Sequence, residues 1–248
     1  MLTLSSESLK GYDLNRIFAF AKEAGYEGVD IAIDPKLYDT QNAAYLKELI
    51  KDFNLPIIAL QTSLNSTHTD ILDAVKTAKE IGTGIVIVQP PKIISFKQIQ
   101  WLKHEIPKIR KKEEISIALE NGSSKTYLGF IPERAMNSLI ELRRFKHACI
   151  DTSRMAEKKQ DLIRVYDLLK DYIVHIHLSN VYRHQSYSLP MKGMLPLESF
   201  LSKLKNNGYK GAISLKVLPK FLDAGNDRNV LKNLKECKEF YDSYFINK

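Results

Sequence analysis

Short apolar, β-branched runs recur along the whole chain, at residues 2–5, 28–33, 56–61, 84–89, 115–120, 147–151, 172–178 and 212–217. Most read as continuous hydrophobic stretches, the pattern of strands buried on both faces of a parallel sheet. Between them the apolar period lengthens to that of a helix. Leu14, Ile17, Phe18 and Ala21 form one stripe, and Ala43, Leu46, Leu49 and Ile50 another. Val230, Leu231, Leu234, Cys237, Tyr241 and Tyr244 form a third, with Asp227 as its expected N-cap. Three turns share a pattern: residues 24–28, 81–84 and 207–211 each place one glycine at a helix C-cap and a second just before the next strand. Spread over 248 residues, eight runs leave about 31 per unit, room for a strand and a helix. Even units, parallel strands and no linker-like or low-complexity tract predict a single (β/α)8 barrel domain over residues 1–248. A doubly wound open sheet is the structural alternative, although it rarely needs eight evenly spaced strands.

Composition narrows the setting. With 44% hydrophobic residues the chain can bury a full core, and no stretch approaches the apolar length of a membrane span. The first residues carry neither a basic region nor a long apolar run, so no secretory signal is expected. Two cysteines, Cys149 and Cys237, fit a reducing, cytoplasmic compartment better than a disulfide scaffold. The net charge of +8 fits phosphate-bearing partners, nucleic acid included, but a lysine-rich solvated surface explains it more simply. Residues 108–112, for example, fall where a helix ends and cations favour the dipole.

In such a barrel, chemistry belongs at the C-terminal ends of the strands. The fifth run ends in Glu120, the sixth in Asp151, the seventh carries His175 and His177, and the eighth carries Lys216. Charged residues in apolar strands are costly unless they pair or bind something. One alone would suit a structural ion pair; four at matching strand ends point to a site. Glu120, Asp151 and one imidazole would suit Mn, Mg, Zn or Co. His104, His147 and His175, away from the strand ends, read as structural. His68 reads as a surface or cap-region residue, and Trp101 as a cover on the outside of the barrel.

Residues 117–121, 150–152, 174–180 and 208–216, with 25–30 near the start, resemble in order and spacing the strand motifs of the xylose-isomerase-like barrel superfamily. That group includes sugar and sugar-phosphate isomerases, ketose 3-epimerases and the family 2 AP endonucleases. In its epimerase-type members a glutamate, an aspartate, a histidine and a second glutamate hold one metal. The resemblance puts the first three at Glu120, Asp151 and His177, and the fourth at Lys216. An ammonium has no lone pair for a metal, so Lys216 is expected to replace the cation by a salt bridge, leaving no bound metal. Arg154 stands where many members have a histidine, and Asn180 where they have an aspartate. Arg183 falls six residues beyond His177, where epimerases carry an arginine that holds substrate oxygens.

The resemblance implies isomerisation or epimerisation of a sugar or sugar phosphate. In a metal-free version Glu120 would be the base and His177 a proton carrier. Lys216 would be an electrostatic stabiliser, or an acid if burial lowers its pKa. Arg154, Arg183, His184 and Asn180 are the expected substrate-binding residues. Together with Lys192, Lys216 and Lys220, Arg183 and His184 would form an anion grip, and residues 180–196 a lid over the pocket, with Tyr182 and Tyr187 able to stack on a ligand. A non-catalytic relative that binds a small anion is the second reading. A multi-zinc nuclease is the weakest, because the third and fourth runs end in Gln61 and Gln89 rather than histidine. The expected partner is a small sugar or anion, with nucleic acid and membrane not anticipated; assembly into a homo-oligomer is compatible with the chain.

Overall fold

The computed structural model describes residues 1–246. Eight parallel strands close into a barrel: β1 (Leu2–Ser5), β2 (Gly28–Ala32), β3 (Ile57–Gln61), β4 (Ile85–Val88), β5 (Ser116–Glu120), β6 (Ala148–Asp151), β7 (Ile173–Leu178) and β8 (Ala212–Leu215). Each strand pairs with its neighbours in sequence, and β8 returns to β1 through Leu2↔Ile213, Thr3↔Ser214 and Leu4↔Leu215. The eight apolar runs are these strands, several trimmed by a residue or two at the ends. Closure removes both sheet edges, which the open-sheet alternative would have left to cover.

Helices alternate with the strands: α1 (Leu14–Glu23), α2 (Ala43–Phe53), α3 (His68–Ile81), α4 (Phe96–His104), α5 (Ile106–Glu113), α6 (Leu139–Phe145), α7 (Thr152–Glu157), α8 (Leu162–Leu169), α9 (Leu197–Asn206) and α10 (Asp227–Tyr241). The fourth and sixth connections hold two helices where the even spacing predicts one. Pro107, in the first turn of α5, explains the first break, since proline is tolerated there and not in a helix interior. The three expected glycine C-caps are real: Gly25, Gly82 and Gly208 have φ of +78°, +76° and +68°. The second glycine answers to close approach at Gly28, where a Cβ would stand 2.7 Å from Ile58 Cγ1. One cap differs from expectation. Asn226, not Asp227, caps α10 by accepting from the Asn229 amide at 3.2 Å, while Asp227 turns to pair with Arg16 on α1.

Two cores result. Leu4, Val29, Leu60, Val86, Leu119, Ile150, Ile176 and Leu215 face outward into the shell between sheet and helices. The alternate positions face into the barrel, where only Ala59, Ile87, Ala118 and Cys149 form a small apolar cluster. The rest of the interior is polar and lies in two layers. Thr3, Asp30, His175 and Ser214 occupy the lower; Gln61, Glu120, Asp151, His177 and Lys216 occupy the upper, near the C-terminal ends of the strands. Residues 180–196 are not an open loop: Asn180–Tyr182 and Gln185–Ser188 form an antiparallel hairpin. Its turn is Arg183–His184, both at positive φ (48° and 62°), as a two-residue hairpin turn requires.

Candidate functional site

The upper layer is assembled by short local devices. Asp151 ends β6 and at once caps α7, its Oδ1 accepting from the Arg154 amide at 3.1 Å. The first turn of α7 thereby brings the Arg154 side chain back over the barrel mouth. Asn121 fixes β5 to β6, accepting from the Asp151 amide at 2.7 Å and donating to the Asp151 carbonyl at 3.1 Å. On the seventh unit, the Thr152 hydroxyl accepts from the Ser179 amide and donates to the Ser179 carbonyl.

Glu120 is the hub, with no exposed surface. Its Oε1 faces His177 Nδ1 and lies 3.1 Å from Lys216 Nζ; its Oε2 accepts from Gln89 Nε2 and, at 3.0 Å, from Arg154 Nη1. Lys216 Nζ also donates to Gln61 Oε1 at 3.2 Å and pairs with Glu7 Oε2 at 3.0 Å, while Asp151 Oδ2 stands 3.9 Å away. Arg154 continues outward, Nη1 reaching Gln89 Oε1 at 2.9 Å and Nε reaching the Tyr187 hydroxyl at 2.9 Å.

The protonation states follow from these neighbours. Burial alone would raise the Glu120 carboxyl, yet Arg154, Lys216 and His177 hold it well below the ordinary carboxylate range. Burial opposes charge on Lys216, but Glu120, Glu7 and Asp151 outweigh it and raise its pKa. The acid role considered for Lys216 needed a lowered pKa, and these carboxylates push it the other way, toward the ammonium form. Burial raises the Asp151 carboxyl, with Glu120 adding to the effect against Arg154 and Lys216. Burial, then Lys216, lowers His177 against the pull of Glu120, a lowering that favours the neutral ring, and an ionised Glu120 can only accept from its Nδ1.

Above this layer opens a cavity of about 390 Å³, with Glu7, Gln61, Gln89 and Arg154 on its floor and Tyr12 and Leu37 among its walls. A shallower groove of about 930 Å³ adjoins it across Thr62, Ser63 and Gln89. Glu120, Lys216 and Asp151 lie directly beneath the floor, at hydrogen-bond or ion-pair distance from floor residues, and His177 lies beside Glu120 and Lys216.

The structure thus brings together Glu120, Asp151, Arg154, His177 and Lys216. It places the other expected binding residues elsewhere. Arg183 and His184 form the exposed tip of the hairpin, with Arg183 stacked on the Tyr182 ring. Asn180 is buried but occupied, donating to the Pro190 carbonyl and accepting from the amides of Val181 and Leu195. Lys192 and Lys220 are exposed, Lys220 donating to Gln185 at 2.6 Å. These groups do not converge with Lys216 into one grip. His68 stacks on Trp101 at the start of α3. Glu7 is the member sequence reasoning missed. It sits on a one-turn 3-10 helix after β1, where no strand pattern marks it, although its place just past a strand end was a usable signal.

Among the described residues, two groups of metal-type donors have ligand atoms within 4.8 Å of one another: Glu120 with Cys149 and His177, and Asp30 with His175 and His177. Asp151, expected as a ligand, belongs to neither, because β6 turns it toward the α7 N-terminus.

Residues 18–234 match the family model described as xylose isomerase-like TIM barrel, and the chain belongs to that family. Solved structures of the same fold include IOLI protein with a bound zinc atom (TM-score 0.77, 15% identity, 99% of each chain). Another is a 3-keto-D-glucoside 4-epimerase from E. coli (0.71, 14%, 96% of this chain and 98% of that one). A third is an AP endonuclease, family 2, from Brucella melitensis (0.71, 14%, 88% and 93%). At these identities the likeness is one of fold. No curated protein sequence matches.

Proposed function

We propose that the chain is a sugar or sugar-phosphate isomerase or epimerase in which the Lys216 ammonium stands where relatives of this fold hold a metal ion. The observation that carries this reading is the pair of carboxylates on one cation: Glu120 Oε1 and Glu7 Oε2 lie 3.1 and 3.0 Å from Lys216 Nζ. The family implies a divalent ion at this level, and the residues do not fit one. Both oxygens of Glu120 already accept from two donors each, and an ammonium occupies the centre.

Removal of a proton next to a carbonyl needs a base, and the resulting enediolate needs positive charge beside its oxygens. Lys216 and Arg154 supply that charge without metal. Glu7, which faces the cavity, and Glu120 beneath it flank the cation and are the two carboxylates available to take and return the proton. Gln61 and Gln89 offer amide groups to hydroxyls. The cavity has room for a monosaccharide-sized ligand, and its polar floor faces walls that include Tyr12, Leu14, Ile17 and Leu37, a mixed lining that can meet both the hydroxyls and the C–H faces of a sugar.

The saturation of Glu120 favours a second reading, a barrel that binds the same ligands without turnover. Chelator-treated protein in deuterated water, offered aldoses, ketoses and their phosphates, separates the two. Solvent deuterium entering the carbon beside the carbonyl, undiminished by chelator, supports the isomerase. Saturable binding with no exchange supports the binding protein. Exchange only after metal is added would end the Lys216 account.

A further inference from the structure

We propose that Asp30, His175 and His177 form a transition-metal site of their own in the lower layer of the barrel, one strand step beneath the Lys216 network, suited to Zn2+ or Co2+. The argument begins with hydrogen-bond bookkeeping. Buried polar atoms in folded proteins nearly always have partners, and each exception calls for an explanation such as an ion. In the barrel interior, His177 Nε2 and Asp30 Oδ1 are both fully buried and have no hydrogen-bond partner. The side chains of Asp30, His175 and His177 are at most 2% exposed, so bulk water does not serve them.

The second step is the state of each ring. His177 turns Nδ1 to Glu120, which fixes the tautomer with the proton on Nδ1 and a bare lone pair on Nε2, directed away from the upper layer. That is the arrangement of a metal-bound imidazole, whose second nitrogen donates to a carboxylate. His175 Nε2 lies 2.7 Å from Asp30 Oδ2, so these two atoms already face one another, and an ion taken up between them would replace the proton they share. The two rings meet edge to face with centroids 5.1 Å apart, because positions 175 and 177 share one face of β7. Asp30 completes the group from across the barrel, and one ligand atom from each of the three residues lies within 4.8 Å of the others.

The donor set sorts the ligand. Two imidazoles and one carboxylate are what Zn2+ and Co2+ take, with a fourth position left open, while Mg2+ and Ca2+ prefer oxygen. Ala59, Ile87, Ala118 and Cys149 line the remaining interior. None of this uses Glu120, Asp151 or Lys216 as a ligand, so the site is compatible with a metal-free upper layer.

The test is Co2+ uptake by the whole protein, both native and refolded with the ion present because the site is enclosed. The visible d–d bands of four-coordinate Co2+ should appear in wild type and in Asp151→Asn, and disappear in Asp30→Asn and His175→Gln. X-ray absorption of Zn2+-loaded wild type needs no variant and should count two imidazoles. Failure to take up either ion overturns the site. So does a single imidazole, or Co2+ binding that survives both lower-layer substitutions and is lost with Asp151→Asn.

Discussion

Lys216 Nζ lies 3.1 Å from Glu120 Oε1, a contact between the eighth and fifth strands made entirely inside the barrel. Two charges taken out of water this way are tolerated only when each keeps its partner. The pair has several: Arg154, Gln89 and His177 on the glutamate, Glu7 and Gln61 on the lysine. The network therefore serves as the floor of the cavity as well as a candidate reaction centre.

Replacing Lys216 with Met leaves Glu7 and the buried Glu120 short of a cation. The expected loss of stability is about 3–5 kcal/mol, the range for breaking a buried ion pair. Urea unfolding measures it, and a loss under about 1 kcal/mol would mean that Arg154 alone neutralises the layer.

The network also fixes the sign of the pH dependence. Glu120 and Glu7 are lowered, so their stabilisation is present above about pH 4.3 and is lost as pH falls through their folded values. Burial, helped by Arg110, holds His147 down to about 4. Protons then bind the unfolded chain first below about pH 6.5, and stability falls on acidification from there. Asp151, raised by burial, works in the opposite direction over the acid range. Lys216 is raised, so its contribution is complete below about pH 10.4 and fades only as pH climbs through its higher folded value. Thermal unfolding across pH should show a plateau on the neutral to mildly alkaline side. His147→Gln should flatten the slope between about pH 6.5 and 4; an unchanged slope would remove His147 from the account.

Tyr187 matters through Arg154, whose Nε donates to its hydroxyl at 2.9 Å. Tyr187→Phe should cost about 1 kcal/mol, the ordinary worth of one such bond, and loosen Arg154 over the cavity. A crystal structure of the variant in which Arg154 keeps its position would show that Gln89 and Glu120 suffice to hold it.

Both cysteines are buried, and burial raises both thiols. Neither should react with thiol reagents in the native protein at neutral pH, and both should react on unfolding. Rapid native labelling of Cys149 would show that the barrel interior opens far more readily than its packing implies.

Much of this was legible before the structure. The eight runs became the eight strands because closed parallel sheets are apolar on their outward face. Glu120, Asp151, His177 and Lys216 stand together because strand ends in a barrel converge by geometry. Arg154 was legible as a departure, although its return over the mouth depends on Asp151 acting as an N-cap. What escaped was written in non-local contacts. Glu7 lies on a single turn with no periodicity to mark it. Arg183, His184 and Asn180 were placed by their distance along the chain from His177, and the hairpin leaves the first two at its exposed tip and ties Asn180 to neighbouring backbone. His175 read as structural, and a mid-strand position does not show the Asp30 that faces it from the second strand.

The most direct test of the account compares metal stoichiometry in wild type and Lys216→Glu by mass spectrometry after exposure to Mn2+ or Zn2+ and removal of free ion. The comparison is differential, so a metal in the lower layer counts equally in both. If Lys216 stands in the place of an ion, the glutamate variant takes up one equivalent more than wild type, and the extra ion is lost again with Asp151→Asn or Glu120→Gln. Equal uptake by the two proteins, or a wild-type metal that depends on Glu120 and Asp151, would contradict the central claim.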